Sequence, residues 1–176
     1  MIQEKNGTWV SWNENLIYEY KNLYRIASER ELQDVIAKSD KIRFFGTKQS
    51  SADIAAGIET LIDITTYNKI ISYNDTEHTV TVQSGLILGD LLEAIEAKGW
   101  CIPCLPDINT ITIGGALATG THGTSGKLLC EYMTNCTLVL ADGSLKTFTE
   151  GEELMDAVRV SLGALGVMST VTFKCE

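Results

Sequence analysis

The sequence predicts an α+β fold with two lobes, a small parallel-sheet lobe followed by a larger antiparallel-sheet lobe with helices. Two observations predict it. Up to about residue 70 the pattern is strand–helix–strand–loop–strand, and strands joined by crossovers pair in parallel. Beyond that point hairpins dominate, and hairpins pair their strands antiparallel. We therefore expect one lobe at residues 1–70, a second at residues 71–176, and a ligand crevice between them.

The first lobe is expected to begin with an extended entry segment at residues 9–20. It is then expected to contain three short strands, at Leu23–Ile26, Lys41–Phe45 and residues 59–65. Ser28 begins its helix, because Ser28 can cap the first turn and Glu31 can reach back in a capping box. A loop at residues 46–57 follows the strand that stops at Gly46.

The second lobe is expected to contain two hairpins, two helices and a final strand. The first hairpin turns at Asn74–Glu77, and the second turns at Asp142 and Gly143, a dipeptide typical of tight turns. The remaining elements follow apolar periodicity: a helix at residues 88–99 closed by Gly99, a helix at residues 152–163, and a strand at residues 166–175.

Composition excludes several classes of function. The net charge of −9 disfavours binding to nucleic acid or to an anionic membrane surface, which both require clustered Lys and Arg. No apolar run approaches the roughly 20 residues that cross a bilayer. The polar N-terminus does not resemble a signal peptide, and the five cysteines are odd in number. We therefore expect reduced thiols and a cytoplasmic location.

Cys101 and Cys104 form a Cys-x-x-Cys motif, which can be a redox pair. A thioredoxin-like pair opens a helix after a strand, whereas this one follows a predicted helix and runs into Pro106. A zinc site would need two further ligands with matching spacing, and none lies near in sequence. We expect both thiols to pack under a loop as small apolar groups, and we predict no metal site.

The first glycine-containing loop directly follows a buried strand and contains Phe45, Gly46, Thr47, Lys48, Gln49 and Ser50. Backbone N–H groups at a strand end, together with hydroxyl groups, can hold a phosphate. Lys48 adds one local positive charge. An ordinary turn is the alternative, because the loop matches neither the Rossmann fingerprint nor the P-loop.

The second glycine-rich segment runs from Thr112 to Gly126. Its glycines lack a Cβ and would let a flat ligand or a second backbone approach closely: Gly114, Gly115, Gly120 and Gly123. Thr119, Thr121 and His122 could supply hydrogen bonds. A phosphate at the first loop and a planar heterocycle near this segment outline a dinucleotide such as FAD.

Four blocks carry a family resemblance: residues 46–55, 80–100, 105–126 and 161–173. Together they resemble the FAD-binding domain (PCMH type) of the vanillyl-alcohol oxidase superfamily. Within it the sequence is most similar to the sugar-lactone and alditol oxidases, the group of L-gulonolactone oxidase and D-arabinono-1,4-lactone oxidase. Residues Ser11–Asn15, "SWNEN", resemble the N-terminal "N-W-x-x-N" of that group.

The resemblance implies a role in cofactor binding for both segments. Phe45–Ser50 would wrap the FAD pyrophosphate, and Thr119–His122 would contact the pyrophosphate, the ribityl chain or the flavin. Asp107, Thr112, Gly114 and Gly115 would lie along the cofactor, and Gly120 falls in the same stretch. Val167 would offer backbone hydrogen bonds on the adenine side. We assign no catalytic residue, because a lone histidine such as His122 is more often structural.

The sequence departs from the family in two ways. Many members have a histidine that bonds covalently to the flavin, and the aligned position here is Gln49, whose amide is not a usable nucleophile. We therefore expect noncovalent FAD. Members also carry a substrate domain, which we do not expect within this chain, so we expect it to be either an excised domain or a truncated product.

These departures shape the expected activity. The complete protein would oxidise a CH–OH group of a polyol or sugar lactone bound through the absent domain. Alternatives are a UDP-sugar reductase-type domain or a non-catalytic flavin-binding module. We expect the isolated chain to be inactive, with an exposed apolar surface around Ile113 and Leu117 that could drive self-association.

Overall fold

The computed structural model describes residues 1–54 and 59–176, so the end of the loop predicted at residues 46–57 lies outside the described residues. The first sheet contains four strands: β1 (Ile2–Val10), β2 (Ile17–Arg25), β3 (Ile42–Phe45) and β4 (Thr60–Asp63). Their order is β1-β2-β4-β3, with β2, β4 and β3 parallel and β1 antiparallel to β2.

The N-terminal prediction was wrong in detail. The segment expected as an extended entry is a hairpin in which Trp9 of β1 pairs with Tyr18 of β2. Ser11 closes its turn, because the Ser11 N–H donates to the Leu16 carbonyl at 3.0 Å and the Ser11 hydroxyl accepts from the Leu16 N–H at 3.1 Å. Side-chain caps of this kind replace the Gly-containing turns that mark most hairpins in a sequence.

The first helix, α1 (Glu29–Ala37), begins as predicted. The Glu31 N–H donates to Ser28 Oγ at 3.3 Å, and Glu31 Oε2 accepts from the Ala27 N–H at 2.9 Å. The N-terminal ammonium pairs with the same carboxylate. The helix buries Leu32, Val35 and Ile36.

The second sheet contains five strands: β5 (Ile70–Asn74), β6 (Thr79–Gln83), β7 (Met133–Val139), β8 (Leu145–Thr149) and β9 (Val167–Lys174). Their order is β5-β6-β9-β7-β8, and every neighbouring pair is antiparallel. Both predicted hairpins are present, with Asp142 Oδ1 accepting from the Ser144 N–H at 2.9 Å in the second turn. The α+β fold class is thereby confirmed: β2, β4 and β3 pair in parallel in the first sheet, to which β1 adds an antiparallel strand, and the second sheet is antiparallel throughout.

The helices of the second half differ from prediction in two places. Helix α2 (Leu88–Glu96) forms as expected, and Gly99 follows it with φ +75°. Helix α4 (Met155–Arg159) is much shorter than predicted, because Leu162 and Gly163 adopt positive φ angles of 50° and 74° and turn the chain away.

The second departure is helix α3 (Ile113–Ala118), which occupies a segment expected to be a loop. The Ile113 N–H donates to the Leu86 carbonyl at 2.8 Å, and the Gly114 N–H donates to the Ser84 carbonyl at 2.7 Å. These bonds fix the first turn, and tertiary packing then outweighs the low helix propensity of glycine.

The core contradicts the expectation of an apolar surface around Ile113 and Leu117, since both side chains are fully buried. They belong to the main cluster of the second half, with α2 and β6. A second cluster joins the two sheets, because Val139 and Val167 pack with Ile26 and Ile36. This shared core anchors the first sheet against the second.

The Cys-x-x-Cys motif divides between core and surface. Cys104 is buried, and its thiol donates to the Lys127 carbonyl at 3.3 Å, whereas Cys101 is exposed. The expectation that both pack under a loop therefore holds for Cys104 only. Cys136, elsewhere in the core, has its thiol pKa raised to about 12 by burial. All five cysteines are free thiols.

Candidate cofactor-binding cleft

A cleft of about 630 Å³ lies where the two glycine-rich segments meet. Its volume is within the range of small-molecule and cofactor sites. Most of the predicted site residues line it, all but Asp107 from these two segments: Phe45, Gly46, Thr47, Lys48, Gln49, Ser50, Asp107, Thr112, Gly114, Gly115, Thr119 and Thr121. The crevice expected from the change of pairing pattern thus exists and contains both segments.

The first wall is the loop Gly46–Ser51, which leaves the end of β3. Among the described residues, the backbone N–H groups of positions 46–50 donate to no acceptor. Lys48 sits in the left-handed region with φ +62°. Because unpaired backbone donors next to a left-handed residue form an anion-binding concavity, this loop can accept a phosphate or diphosphate group.

Thr112 joins the two walls. A Cβ placed on Gly46 would lie 2.0 Å from Thr112 Oγ1 and 2.6 Å from Thr112 Cγ2. Thr112 itself is buried and forms a bridge with Ile87 just before α3. Glycine at position 46 is therefore required by the close approach of the two segments, independently of any ligand.

The second wall is α3 and the residues after it, and its glycines have two roles. A Cβ on Gly114 would lie 3.1 Å from Ser84 Cβ, and a Cβ on Gly123 would lie 2.1 Å from the Leu105 carbonyl oxygen. Among the described residues, a Cβ on Gly115 would meet only Thr112 Oγ1, at 3.1 Å. Gly115 is thus the glycine of this wall that leaves open space in the cleft.

Among the described residues, the charges of the lining come from three groups: Arg43, Lys48 and Asp107. Lys48 Nζ lies over the rings of Phe45 and Trp9, 5.4 Å and 5.7 Å from their centroids, so its ammonium is partly engaged. No ion pair involves Arg43 within residues 1–54 and 59–176. Sequence reasoning missed Arg43, because a single arginine in a short strand carries no local signal.

An apolar portion completes the lining, with Phe44, Ile64, Ile108, Ile111 and Leu162. Leu162 is 54% exposed, and its N–H donates to the Ala118 carbonyl at 3.1 Å. The sequence patterns predicted none of these five residues as part of the site. The only available signal for Leu162 was its membership of the "SLGALGV" block.

Three predicted site residues do not line the cleft. His122 is exposed, its Nδ1 lies 3.3 Å from the Gly123 carbonyl oxygen, and no carboxylate among the described residues bonds to it. Gly120 has φ +69° and lies beside Val160. Val167 is paired with Val139 in the second sheet, and its side chain is in the shared core.

These observations fit an elongated ligand with an anionic portion and a planar, less polar portion. The free amides and Arg43 suit a diphosphate, the apolar residues suit a ring system, and Gly115 leaves room between them. The fold and the cleft thus define a dinucleotide-binding domain.

A family model identifies the kind of dinucleotide-binding domain to which the chain belongs. Residues 21–149 match the family described as an FAD binding domain, and the chain belongs to this family. The chain is thus an FAD-binding domain of the flavin oxidoreductases that are related to sugar-lactone and alditol oxidases.

Three curated proteins are similar to this chain in sequence. The chain is 31% identical over 160 residues to L-gulonolactone oxidase of Mus musculus. It is 33% identical over 172 residues to L-gulono-1,4-lactone dehydrogenase of Mycobacterium tuberculosis, and 31% identical over 174 residues to alditol oxidase of a Streptomyces species. These matches cover 86%, 94% and 94% of this chain, but only 36%, 40% and 41% of the relatives. The chain therefore spans about two fifths of their length.

Among solved structures, the cholesterol oxidase of B. sterolicum has the same fold, with a TM-score of 0.85 and 17% identity. The match covers 97% of this chain and 37% of the other. The predicted family and fold are confirmed by these comparisons.

Among the described residues, no helix has the length and hydrophobicity needed to span a bilayer.

Proposed function

We propose that the chain binds FAD noncovalently in the cleft and is the cofactor domain of an oxidoreductase that acts on a CH–OH group of a sugar lactone or polyol. The observation that carries the proposal is the row of backbone amides at residues 46–50 beside Arg43, which find no acceptor among the described residues, in a chain of this family. The names of the three relatives favour a lactone or alditol as the substrate class and favour oxidation over UDP-sugar reduction.

The residues would share the work of holding the cofactor. Amides of the loop Gly46–Ser50 would bind the diphosphate, with Arg43 as its counter-ion. Gly115 would leave space for the body of the ligand, and the apolar residues near Ile108 and Leu162 would exclude water. FAD, when bound, supplies the hydride acceptor for the reaction.

Noncovalent attachment is supported by Gln49, whose side-chain amide is not a usable nucleophile. The test is to saturate the chain with FAD, confirm binding by calorimetry, and then precipitate the protein with acid or heat. We expect all of the flavin in the supernatant. Flavin that stays with the pellet would contradict noncovalent attachment, and a chain that does not bind FAD would contradict the function itself.

We also propose that this chain alone does not turn over substrate. No carboxylate orients His122, and Asp107 is the only carboxylate of the cleft within the described ranges, so no side chain is placed as a paired general base. The FAD-loaded chain, offered alditols and aldonolactones without oxygen, should keep its flavin absorbance. Bleaching at an enzyme-like rate would show that these residues suffice for the chemistry.

Three further expectations remain proposals. The substrate would bind through a further domain, and a cytoplasmic location is supported by the five free thiols. Self-association would now involve the exposed Leu105, Ile108 and Leu162 instead of the buried Ile113 and Leu117. Light scattering of the chain with and without FAD tests this, and a monomer at all concentrations would argue against it.

A further inference from the structure

The turn between β1 and β2, residues Ser11–Leu16, lies against the first wall of the cleft. Ser11 is 3% exposed and organises the turn, because its hydroxyl lies 2.9 Å from both Asn13 Oδ1 and Asn15 Oδ1. Glu14 adopts a left-handed conformation with φ +58°. The turn is therefore a defined structure, held by its own side chains, before it touches the loop.

Three donors of this turn reach three carbonyl groups of the loop. The Trp12 N–H donates to the Lys48 carbonyl at 3.1 Å, and Trp12 Nε1 donates to the Gln49 carbonyl at 2.8 Å. Asn15 Nδ2 donates to the Ser51 carbonyl at 3.3 Å. The contacts are made to backbone only, so they control the orientation of peptide groups and not the choice of side chains in the loop.

The orientation of a peptide carbonyl fixes the amide that follows it. In a trans peptide the carbonyl of one residue and the N–H of the next point in opposite directions. When Trp12 holds the Lys48 and Gln49 carbonyls, the N–H groups of Gln49 and Ser50 must point away from the turn. These two amides have no acceptor among the described residues, and both residues line the cleft.

The same contacts offset backbone strain. Lys48 has φ +62°, a conformation that lysine adopts at a cost of about 1 kcal/mol or more. The Trp12 N–H bond to the Lys48 carbonyl holds this residue in place. Without it the loop could relax to conformations in which the amides no longer converge.

We propose that Trp12 and Asn15 are positioning residues for the cofactor: they orient the Gln49 and Ser50 amides toward the diphosphate. The proposal rests on the proposed function, and neither residue lines the cleft itself. Trp12 carries the larger share, because it makes two of the three bonds and the shorter side-chain bond. Its ring is 56% exposed, so its burial contributes little to the fold.

The test is the variant Trp12→Phe, which keeps a planar ring and removes the Nε1–H donor. Dissociation constants for FAD, ADP and riboflavin are measured with this variant and with the natural chain. We expect FAD and ADP to bind about fivefold to tenfold more weakly, the usual effect of one hydrogen bond. Riboflavin, which lacks the diphosphate, should bind equally to both proteins.

The matched control is Asn74→Ala, which removes the side chain that caps the β5–β6 turn through the Thr76 and Glu77 amides. It perturbs a surface turn far along the chain from the loop, and it should leave all three affinities unchanged. Asn15→Ala should follow Trp12→Phe with a smaller effect.

The outcomes separate the two proposals. Suppose that the natural chain binds FAD, and that Trp12→Phe binds both FAD and ADP as tightly as the natural chain does. The positioning role is then wrong, and the proposed function stands. Equal weakening of all three ligands with a lower melting temperature would show a structural role only, and would also overturn the proposal. A natural chain that binds neither FAD nor ADP would overturn the proposed function.

Discussion

The two walls of the cleft are both rich in glycine, but they are built in different ways. The loop after β3 has amides at positions 46–50 that are unpaired within residues 1–54 and 59–176, and it is held from outside by the β1–β2 turn. The wall at α3 is part of the packed core, with Ile113 and Leu117 fully buried. One wall therefore presents backbone donors, and the other presents a rigid surface against which a ligand can lie.

The difference shows that the glycines cannot be read alike. Gly46, Gly114 and Gly123 allow other parts of the chain to approach, with hypothetical Cβ contacts of 2.0 Å, 3.1 Å and 2.1 Å. Gly115 faces the open cleft, where a Cβ would meet no described atom except Thr112 Oγ1. Substitutions at the first group should damage the fold, and a substitution at Gly115 should damage binding alone.

The largest effect is expected for Gly46→Ala. Its Cβ would lie 2.0 Å from Thr112 Oγ1, so the two walls must separate. We expect a loss of about 1–3 kcal/mol in the free energy of unfolding, the usual size for overpacking, together with loss of FAD binding. Urea denaturation and calorimetry measure the two effects.

The double variant Gly46→Ala/Thr112→Ala provides the control for this contact. Removing Oγ1 and Cγ2 leaves Thr112 Cβ at 2.8 Å from the new methyl group, so part of the lost stability should return. Additive losses in the double variant would show that the two residues do not meet, and the description of the junction would be wrong.

The next effect is expected for Gly115→Val. The new side chain would occupy cleft space, and in the described part of the chain its Cβ would meet only Thr112 Oγ1. We expect FAD binding to weaken by about 2–3 kcal/mol, and the stability of the FAD-free chain to change by less than about 1 kcal/mol. Unchanged FAD affinity in a folded variant would remove Gly115 from the site, and the contrast between the glycines would fail.

An element could be predicted from the sequence where local interactions determine it, and could not be predicted where tertiary contacts determine it. The strand patterns and the Asp142–Gly143 turn are local signals, and they predicted the second sheet correctly. The helix at Ile113–Ala118 was missed because its first turn is fixed by the Leu86 and Ser84 carbonyls, which lie almost 30 positions earlier in the chain. Tertiary hydrogen bonds of this kind leave no trace in local propensity.

The candidate site shows the same division. The loop at Phe45–Ser50 could be recognised because it combines a strand end, a glycine and hydroxyl groups. Arg43 and Leu162 could not, because their place in the cleft depends on how β3 and the loop after α4 pack together. The contact of Trp12 with the Gln49 carbonyl joins residues 37 positions apart and was equally invisible.

A smaller effect is expected for Arg43→Gln, which tests whether the first wall also acts through charge. Arg43 lines the cleft and makes no ion pair in the described part of the chain. We expect a several-fold loss of FAD affinity and a weaker dependence of that affinity on salt, because a screened charge contact disappears. Arg30→Gln is the control, since Arg30 is 79% exposed and pairs with Asp34 on α1. Identical salt dependence in natural and Arg43→Gln chains would assign anion binding to the amides alone.

The smallest effect is expected for Glu31→Gln. This variant tests whether the stability of the region around the first sheet can change without a change in FAD binding by its loop. The N-terminal ammonium, and then the Ala27 N–H, lower the pKa of Glu31 below its ordinary value of 4.5. A lowered pKa stabilises the fold above pH 4.5, and this contribution is lost as the pH falls through the folded-state value.

Glutamine can still accept from the Ala27 N–H, so this variant loses only the ion pair, which is partly exposed and worth about 0.2–1 kcal/mol at neutral pH. The difference in unfolding free energy from the natural chain should shrink and vanish in acid. FAD affinity at neutral pH should not change, because the turn at Ser11–Leu16 holds the loop through uncharged groups. Weaker FAD binding by Glu31→Gln would mean that the loop depends on α1 as well, and that the first wall is not positioned by the turn alone.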